Sequence, residues 1–326
     1  MFSIYDTWPE IAERSFQSEK IEMNFDGIKD IVFAGMGGSG AISDIFTSIL
    51  SRKPIHTTTV KGYHLPKTVS DKTLVIITSV SGNTVETLKI LEQAYKENAK
   101  IISFSSGGKL QDICVNKNIK HVKINMENSP RASLTKYLYR MLKVLEDILP
   151  IEEQEIKISI EELKKTSQNI SSKNFDETNF ALDLAKWITK IPIIYYPWGL
   201  QAAAIRFKNS LQENSKIHVI AEDILEMSHN GIVPWEIQKD FKPIFVRGKS
   251  DFIKTKERWE IIKDFFQSNN IEFKEIITNE TGILSKLINL IYIFDYTSIY
   301  RAAILGIDPT PVRPIDFIKK QLENKN

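Results

Sequence analysis

The sequence predicts an α/β protein of two domains, each a parallel sheet with helices on both faces. Three observations carry this reading. Short apolar runs rich in β-branched and aromatic residues alternate with helix-periodic segments along most of the chain. Such alternation implies parallel strands joined by crossover helices. Two of the runs end in glycine- and serine-rich turns that open directly into helical patterns, at residues 35–40 and 79–84. Finally, 326 residues exceed what one hydrophobic core usually supports. A boundary near residue 150 is expected, giving domains 1–150 and 151–326.

Taken in order, residues 7–20 are helical in pattern and precede a first strand at 30–34, Asp30-Ile31-Val32-Phe33-Ala34. Strands are then expected at 56–60, 73–78, 100–104 and 119–124, with helices near 40–51, 84–97 and 108–116. Residues 131–149 and 151–172 carry apolar residues at helical spacing and make the boundary soft. A second series follows: strand 191–196, helix 199–213, strands 217–220 and 243–246, helix 254–268, strand 271–277 and helix 282–304. A last helix is expected from about Pro311 to Glu323. Between two of these elements, residues 223–235 form a loop with Asp, Glu, His, Asn and Gly between apolar anchors, a length that is often functional.

Composition narrows the function. With 42% hydrophobic and 26% charged residues the chain is ordinarily globular. Forty-three Lys and Arg stand against 41 Asp and Glu, for a net charge of +2 and no single-sign block suited to nucleic acid or a membrane surface. The single Cys114 has no internal disulfide partner and reads as a buried small side chain. The opening residues lack a basic region followed by an apolar stretch, and no run approaches ~18 apolar residues, so a cytoplasmic protein is expected.

A helix that starts right after a tight turn presents unpaired N–H groups and the positive end of its dipole, the natural seat of a phosphate. Gly35-Met36-Gly37-Gly38-Ser39-Gly40 satisfies the dinucleotide fingerprint G-x-G-x-x-G. That fingerprint also requires a carboxylate near the end of the next strand, which instead reads His56-Thr57-Thr58-Thr59-Val60-Lys61. A nicotinamide cofactor is therefore disfavoured. The second turn places the hydroxyls of Ser79, Ser81 and Thr84 around Gly82-Asn83 at a helix start, and hydroxyls with backbone amides can surround a phosphate without a cation. Thr84 also suits the cap of its helix. Gly37, Gly38, Ser39, Ser79, Ser81 and Thr84 are the expected phosphate site.

Ser79-Val80-Ser81-Gly82-Asn83-Thr84-Val85-Glu86-Thr87 resembles the phosphosugar-binding turn of sugar isomerase domains. With Gly37-Gly38-Ser39 before it, and with Pro130-Arg131-Ala132-Ser133-Leu134, Glu213-Asn214-Ser215-Lys216, Ser228-His229-Asn230-Gly231 and Gly306-Ile307-Asp308-Pro309-Thr310-Pro311-Val312 in order, nearly the whole chain is similar to bifunctional phosphoglucose/phosphomannose isomerases. The resemblance implies two sugar isomerase domains and an aldose–ketose isomerase acting on hexose 6-phosphates through a cis-enediolate. It implies neither a metal nor a cofactor, and no cluster here has metal-ligand spacing. A sugar-phosphate-sensing regulator that has lost chemistry is the alternative from another class.

Such a reaction needs a carboxylate to move a proton between C1 and C2, a group that opens the ring and positive charge near the enediol oxygens. Glu213, taken alone a typical solvated helix-end residue, is by resemblance the base. Arg131 follows Pro130 at an expected helix start, where a cation opposes the dipole; the resemblance assigns it to the enediolate. His229 lies on the polar loop, and histidine is a side chain used for acid–base work near neutrality, whereas His56, His64, His121 and His218 lie in or beside strands. The resemblance makes His229 the ring opener, contributed by a neighbouring subunit of a homodimer. On the last helix, Val312, Ile315 and Leu322 define an apolar face that includes Lys319, while Lys320 points to solvent. The family's ring-opening lysine is accordingly placed at Lys319, with an alignment loose by a residue or two. Thr310 suits the cap of that helix, and by resemblance it is linked to accepting mannose 6-phosphate.

Overall fold

The computed structural model describes residues 1–237, 240–279 and 282–323. Five strands form the first sheet: β1 (Asp30–Ala34), β2 (His56–Val60), β3 (Thr73–Thr78), β4 (Lys100–Ser105) and β5 (Lys120–Lys123). They are all parallel and lie in the order β2-β1-β3-β4-β5. Around them run α1 (Phe2–Asp6), α2 (Trp8–Phe16), α3 (Gly37–Leu50), α4 (Val85–Lys96), α5 (Gly108–Asn116) and α6 (Leu134–Val144).

The second sheet is also parallel. It contains β6 (Ile191–Tyr196), β7 (Ile220–Asp223), β8 (Phe241–Gly248) and β9 (Lys274–Thr278), in the order β7-β6-β8-β9. With it come α7 (Glu153–Ile170), α8 (Phe180–Trp187), α9 (Gln201–Ser210), α10 (Ile224–Met227), α11 (Ile253–Ser268), α12 (Ile283–Ile304) and α13 (Arg313–Glu323). Each sheet repeats the same order: the chain starts centrally, goes to one edge, then crosses back to the other side of its first strand. Where the order reverses, between β1 and β3 and between β6 and β8, the loops diverge and leave a crevice at the carboxyl ends of the strands.

Period-two packing explains how both faces are filled. On β1, Ile31 and Phe33 join one apolar layer, while Val32 and Ala34 face the opposite way against α4 and α5. The first layer also takes the inner face of the second sheet, through Ile194, Tyr196, Ile244 and Val246, so α2, α3, α6, α7, α8, α9 and α12 lie in a helical layer shared by the two sheets. A third cluster, around Tyr195, Phe245, Trp259 and Phe266, sits under α10 and α11. Every residue of β3 is buried, as a central parallel strand requires.

At the N-terminus, α1 and α2 pack on α12 across the whole chain. Trp8 stacks between Tyr5 and Tyr292, at centroid distances of 4.6 and 5.4 Å. The Tyr292 hydroxyl donates to the Tyr5 carbonyl (2.7 Å), the Tyr296 hydroxyl donates to Asp6, and Trp8 Nε1 donates to the Ala132 carbonyl (3.2 Å).

The structure departs from the sequence reading at a few elements. The strand expected at 217–220 runs Ile220–Asp223, and that expected at 271–277 runs Lys274–Thr278. Ile217, Val219 and Ile271 are packed against the core but precede the ladder, so their apolar signal marks burial and not pairing. Helix α8 was not anticipated; its cap is the side chain of Asn179, which accepts from Leu182 N at 3.0 Å, inside a polar run that reads as loop. Cys114 is buried as expected, and burial pushes its thiol up.

Arg206 of α9 and Asp295 of α12 form a fully buried ion pair. Nε and Nη2 donate to the two carboxylate oxygens at 3.1 and 2.6 Å, the Ser210 hydroxyl donates to Asp295 Oδ1, and Arg206 Nη2 also donates to the Arg131 carbonyl at 2.8 Å. Burial opposes the charge on Arg206, but Asp295 more than offsets it and holds the guanidinium above its ordinary range. Replacing Asp295 by Ala leaves that charge unpaired and is expected to cost about 3–5 kcal/mol, measurable by equilibrium urea unfolding; a midpoint equal to that of the unaltered protein would show that the pair does not hold the fold.

Candidate active site

The turns that follow β1 and β3 meet at the crevice. Met36 is the N-cap of α3 in extended conformation, and no side chain caps the helix. Gly37, Gly38 and Ser39 form its first turn; the Ser39 N–H donates back to the Met36 carbonyl at 3.0 Å, and those of Gly37 and Gly38 are among the ones a helix start leaves without a partner inside the helix. Ser39 is buried, and its hydroxyl accepts from Val80 N at 3.2 Å, which locks the first turn to the second. Ser79 is buried as well; its N–H donates to the Phe104 carbonyl and its hydroxyl to Thr84 Oγ1 at 3.1 Å. Thr84 is the N-cap residue of α4, yet its side chain makes no cap bond. The capping alternative for its hydroxyl is thus not what the structure shows. Ser81 is exposed at the tip, with its hydroxyl accepting from Asn83 N at 3.3 Å.

A third turn, between β4 and α5, buttresses the second. Ser106 donates to the Val80 carbonyl through both its N–H (3.0 Å) and its hydroxyl (2.7 Å), and Lys109 N donates to Asn83 Oδ1 at 3.0 Å. Gly82 adopts φ +70°, and a Cβ on it would lie 1.7 Å from the Gly107 carbonyl oxygen. Only glycine allows the two turns to come this close.

Arg131 stands beside this mouth. Gly38 of α3 lies against the segment that carries Arg131: a Cβ there would stand in ordinary contact with the Pro130 carbonyl, at 3.4 Å. Helix α6 begins at Leu134, after Arg131, so the guanidinium lies in the turn ahead of the helix and not in its first turn as the sequence implied. It is buried. Nη1 pairs with Glu213 Oε2 at 3.1 Å, and Nη2 donates to the carbonyls of Pro309 (2.6 Å) and Thr310 (3.0 Å).

Glu213 lies beyond the end of α9, in a turn of wider π-helical winding at Leu211–Ser215, a feature often found at functional sites. Its neighbours fix the turn on α12: Asn214 Nδ2 donates to Ser298 Oγ at 2.8 Å, and Ser215 Oγ donates to the Ser298 carbonyl at 2.7 Å. The Glu213 side chain remains 29% exposed. Lys216 follows it. Its ammonium donates to the carbonyls of Glu213 and Pro311, the latter at 2.7 Å. Burial and then Arg131 hold Lys216 below the ordinary lysine range, against Glu213 and Asp308. Neither Lys216 nor the Arg206–Asp295 pair was singled out from sequence; the position of Lys216 three residues after Glu213 was the one available signal.

The chain thus gathers Gly37, Gly38, Ser39, Ser79, Ser81 and Thr84 on two adjoining turns, and Arg131, Glu213 and Thr310 beside them. It does not gather His229 and Lys319. His229 follows α10, is exposed, and its N–H donates to the Glu226 carbonyl at 2.9 Å. Lys319 is exposed, as is Lys320. Among the described residues, no hydrogen bond or ion pair joins either His229 or Lys319 to Arg131, Glu213 or the phosphate turns.

Two expectations at the C-terminus need correction. The face expected to bury Lys319 is uncovered: Ile315 and Leu322 are exposed, with Phe317 at 64% and Ile318 at 58%. The apolar spacing is real, but Ile315 and Ile318 on this face stay largely exposed. Thr310 is not the helix cap either, because α13 begins at Arg313; its N–H instead donates to Asp308 Oδ1 at 2.8 Å. Among the described residues no group of three or more His, Cys, Asp or Glu side chains gathers to hold a metal ion, and no helix is long and apolar enough to cross a membrane.

Comparison with known proteins agrees with this geometry. Residues 26–145 match the family model for the SIS domain, and residues 177–322 match that for the bacterial phospho-glucose isomerase C-terminal SIS domain. The fold is similar to that of the C-terminal domain of glucosamine-fructose-6-phosphate aminotransferase from Francisella tularensis, with a TM-score of 0.71 at 15% identity, covering 94% of this chain and 96% of that one. The protein is therefore a tandem SIS-domain protein. Among curated relatives, the bifunctional phosphoglucose/phosphomannose isomerase of Caldicellulosiruptor bescii is 31% identical over 99% of this chain and 98% of its own length. That of Thermoplasma acidophilum is 29% identical over 93% of this chain and 94% of its own. The chain belongs to the bifunctional phosphoglucose/phosphomannose isomerase family, and it is an isomerase; the regulator alternative is not favoured.

Gly82→Ala forces its turn away from the turn between β4 and α5, and a shift of about 1 Å in a binding group can cost on the order of a hundredfold. Inorganic phosphate affinity, read by calorimetric titration, is expected to fall by roughly tenfold or more; unchanged affinity would place the phosphate elsewhere.

Proposed function

We propose that this protein interconverts glucose 6-phosphate and mannose 6-phosphate with fructose 6-phosphate, without a metal and through a cis-enediolate. The observation that carries the reading is the Arg131–Glu213 contact at 3.1 Å, beside two hydroxyl- and amide-lined turns. The turns bearing Gly37, Gly38, Ser39, Ser79, Ser81 and Thr84 hold the phosphate, chiefly through helix-start N–H groups and the hydroxyls of Ser39, Ser81 and Thr84, which accept a bond and keep a proton to donate, whereas Ser79 spends its own on Thr84. Glu213 takes the proton from C2 of the open-chain aldose and returns it to C1. The negative charge that develops on the enediolate oxygens falls to Arg131, which a water-excluded position makes effective. Thr310, whose carbonyl is tied to Arg131, lies where the C2 configuration would be read.

Ring opening falls to His229 and Lys319. Since neither reaches the Arg131–Glu213 pair within one chain, we assign His229 to the site of a partner subunit in a homodimer. The uncovered apolar face of α13 supports such an assembly, since patches of this kind mark interaction surfaces. A cytoplasmic setting suits an enzyme of this class with one buried cysteine.

Three outcomes are expected. Glu213→Gln retains fructose 6-phosphate binding while kcat falls by roughly 10²- to 10⁴-fold; unchanged turnover would remove Glu213 from the mechanism. In a coupled assay, chelator-treated protein keeps its activity on glucose, mannose and fructose 6-phosphates, and loss of activity would refute a metal-free reaction. Mixing Glu213→Gln with His229→Ala, each inactive alone, restores activity only if one chain lends its histidine to the other's carboxylate; no recovery after subunit exchange would place both groups in the same subunit.

A further inference from the structure

The segment Asp308–Pro311 is attached to the site in one direction only. Pro309 and Pro311 have no N–H, and the single N–H between them, on Thr310, is taken by Asp308 Oδ1 at 2.8 Å. From Pro309 to Pro311 the backbone therefore has only carbonyls to offer. Arg131 Nη2 donates to two of them, on Pro309 (2.6 Å) and Thr310 (3.0 Å). The third, on Pro311, accepts from Lys216 Nζ at 2.7 Å, and the same ammonium stands 3.5 Å from the Pro309 carbonyl. Lys216 also donates to the carbonyl of Glu213 itself. One cation thus bridges the turn that carries the carboxylate and the segment that carries Thr310.

The backbone of Lys216 points the same way. It has φ 57° and ψ 32°, the left-handed region that a residue with a Cβ rarely adopts. Among the described residues the other non-glycine residues with positive φ are Asn98, Asn118 and Asn270, all asparagines, the type that best tolerates it. Lysine is not what the turn alone would select.

We propose that Lys216 is a positioning residue for the isomerisation, holding the Glu213 turn and the Thr310 segment in register through the carbonyls of Glu213 and Pro311. This rests on the isomerase reading above. Without the bridge, the segment keeps only the Arg131 side of its attachment, and the guanidinium that serves the intermediate is left to hold it alone.

The ammonium faces Arg131, Glu213 and Asp308, and burial with Arg131 moves its titration below the ordinary lysine range. On losing its proton Lys216 keeps two N–H groups for three carbonyls and no charge, so the bridge weakens as pH rises. An alkaline limb in kcat follows, and a guanidinium at this position would not show it because arginine stays charged.

The test compares Lys216→Met and Lys216→Arg with the unaltered protein on fructose 6-phosphate. Lys216→Met is expected to lower kcat by roughly tenfold to a hundredfold with KM changed less than about threefold. Lys216→Arg is expected to restore most of kcat and to lose the alkaline limb. An unaltered protein that does not isomerise hexose phosphates would overturn the reading on which the proposal stands. An active unaltered protein with an equally active Lys216→Met would overturn the proposal alone, and so would an alkaline limb that persists unchanged in Lys216→Arg. If Lys216→Met does not fold, the pH profile of Lys216→Arg decides.

Discussion

Everything around the site hangs from the buried pair of Arg206 and Asp295. Two charges out of water are costly unless each lone pair and proton is met, and here they are met by the fork-to-fork contact, by Ser210 and by the Arg131 carbonyl. The pair ties α9 to α12, which fixes where the widened turn bearing Glu213 begins. Nη2, besides its bond to Asp295, reaches across to the other sheet's territory and holds the backbone of Arg131. One guanidinium inside the core therefore sets the position of another at the surface of the crevice, and the latter meets the carboxylate.

The two sheets share a plan and divide the labour. Both wind in the same order, and both open a crevice where that order reverses. The first sheet uses it to present two helix starts and a set of hydroxyls. The second places beside it a carboxylate held by α12 and a carbonyl-only segment after it. Because the inner faces of both sheets belong to one apolar layer, the two contributions are held in fixed relation by packing.

Much of this was legible in the sequence. Strands β1, β3 and β6 were placed to the residue, since a buried parallel strand is a short uninterrupted apolar run with sharp polar ends, and the edge strand β2 was placed by its β-branched run Thr57-Thr58-Thr59-Val60. The two strand-to-helix turns at 35–40 and 79–84 were legible as turns because glycine and hydroxyl residues at such a junction have a local physical meaning. What was not legible depends on distant partners. Arg131 meets Glu213 across 82 positions and Thr310 across 179, and Arg206 meets Asp295 across 89. No local pattern records such pairs, so Lys216 and Arg206 passed as ordinary polar residues. The apolar stripe of α13 was read correctly as a stripe, but periodicity says only that a face seeks cover, not that the same chain supplies it.

The aromatic stack of Tyr5, Trp8 and Tyr292 has a consequence for how the molecule comes into being. Tyr5 accepts its hydrogen bond from a residue 287 positions later, so the opening helices leave the ribosome with only part of their docking surface in reach: α6 soon follows α2, but α12 comes last. During synthesis the first sheet can form, yet Trp8 has no ring of α12 to stack on until translation has passed the last strand. The molecule closes as a clasp does, end onto end, whereas the bond from Trp8 to the Ala132 carbonyl, beside Arg131, draws on the first half of the chain alone.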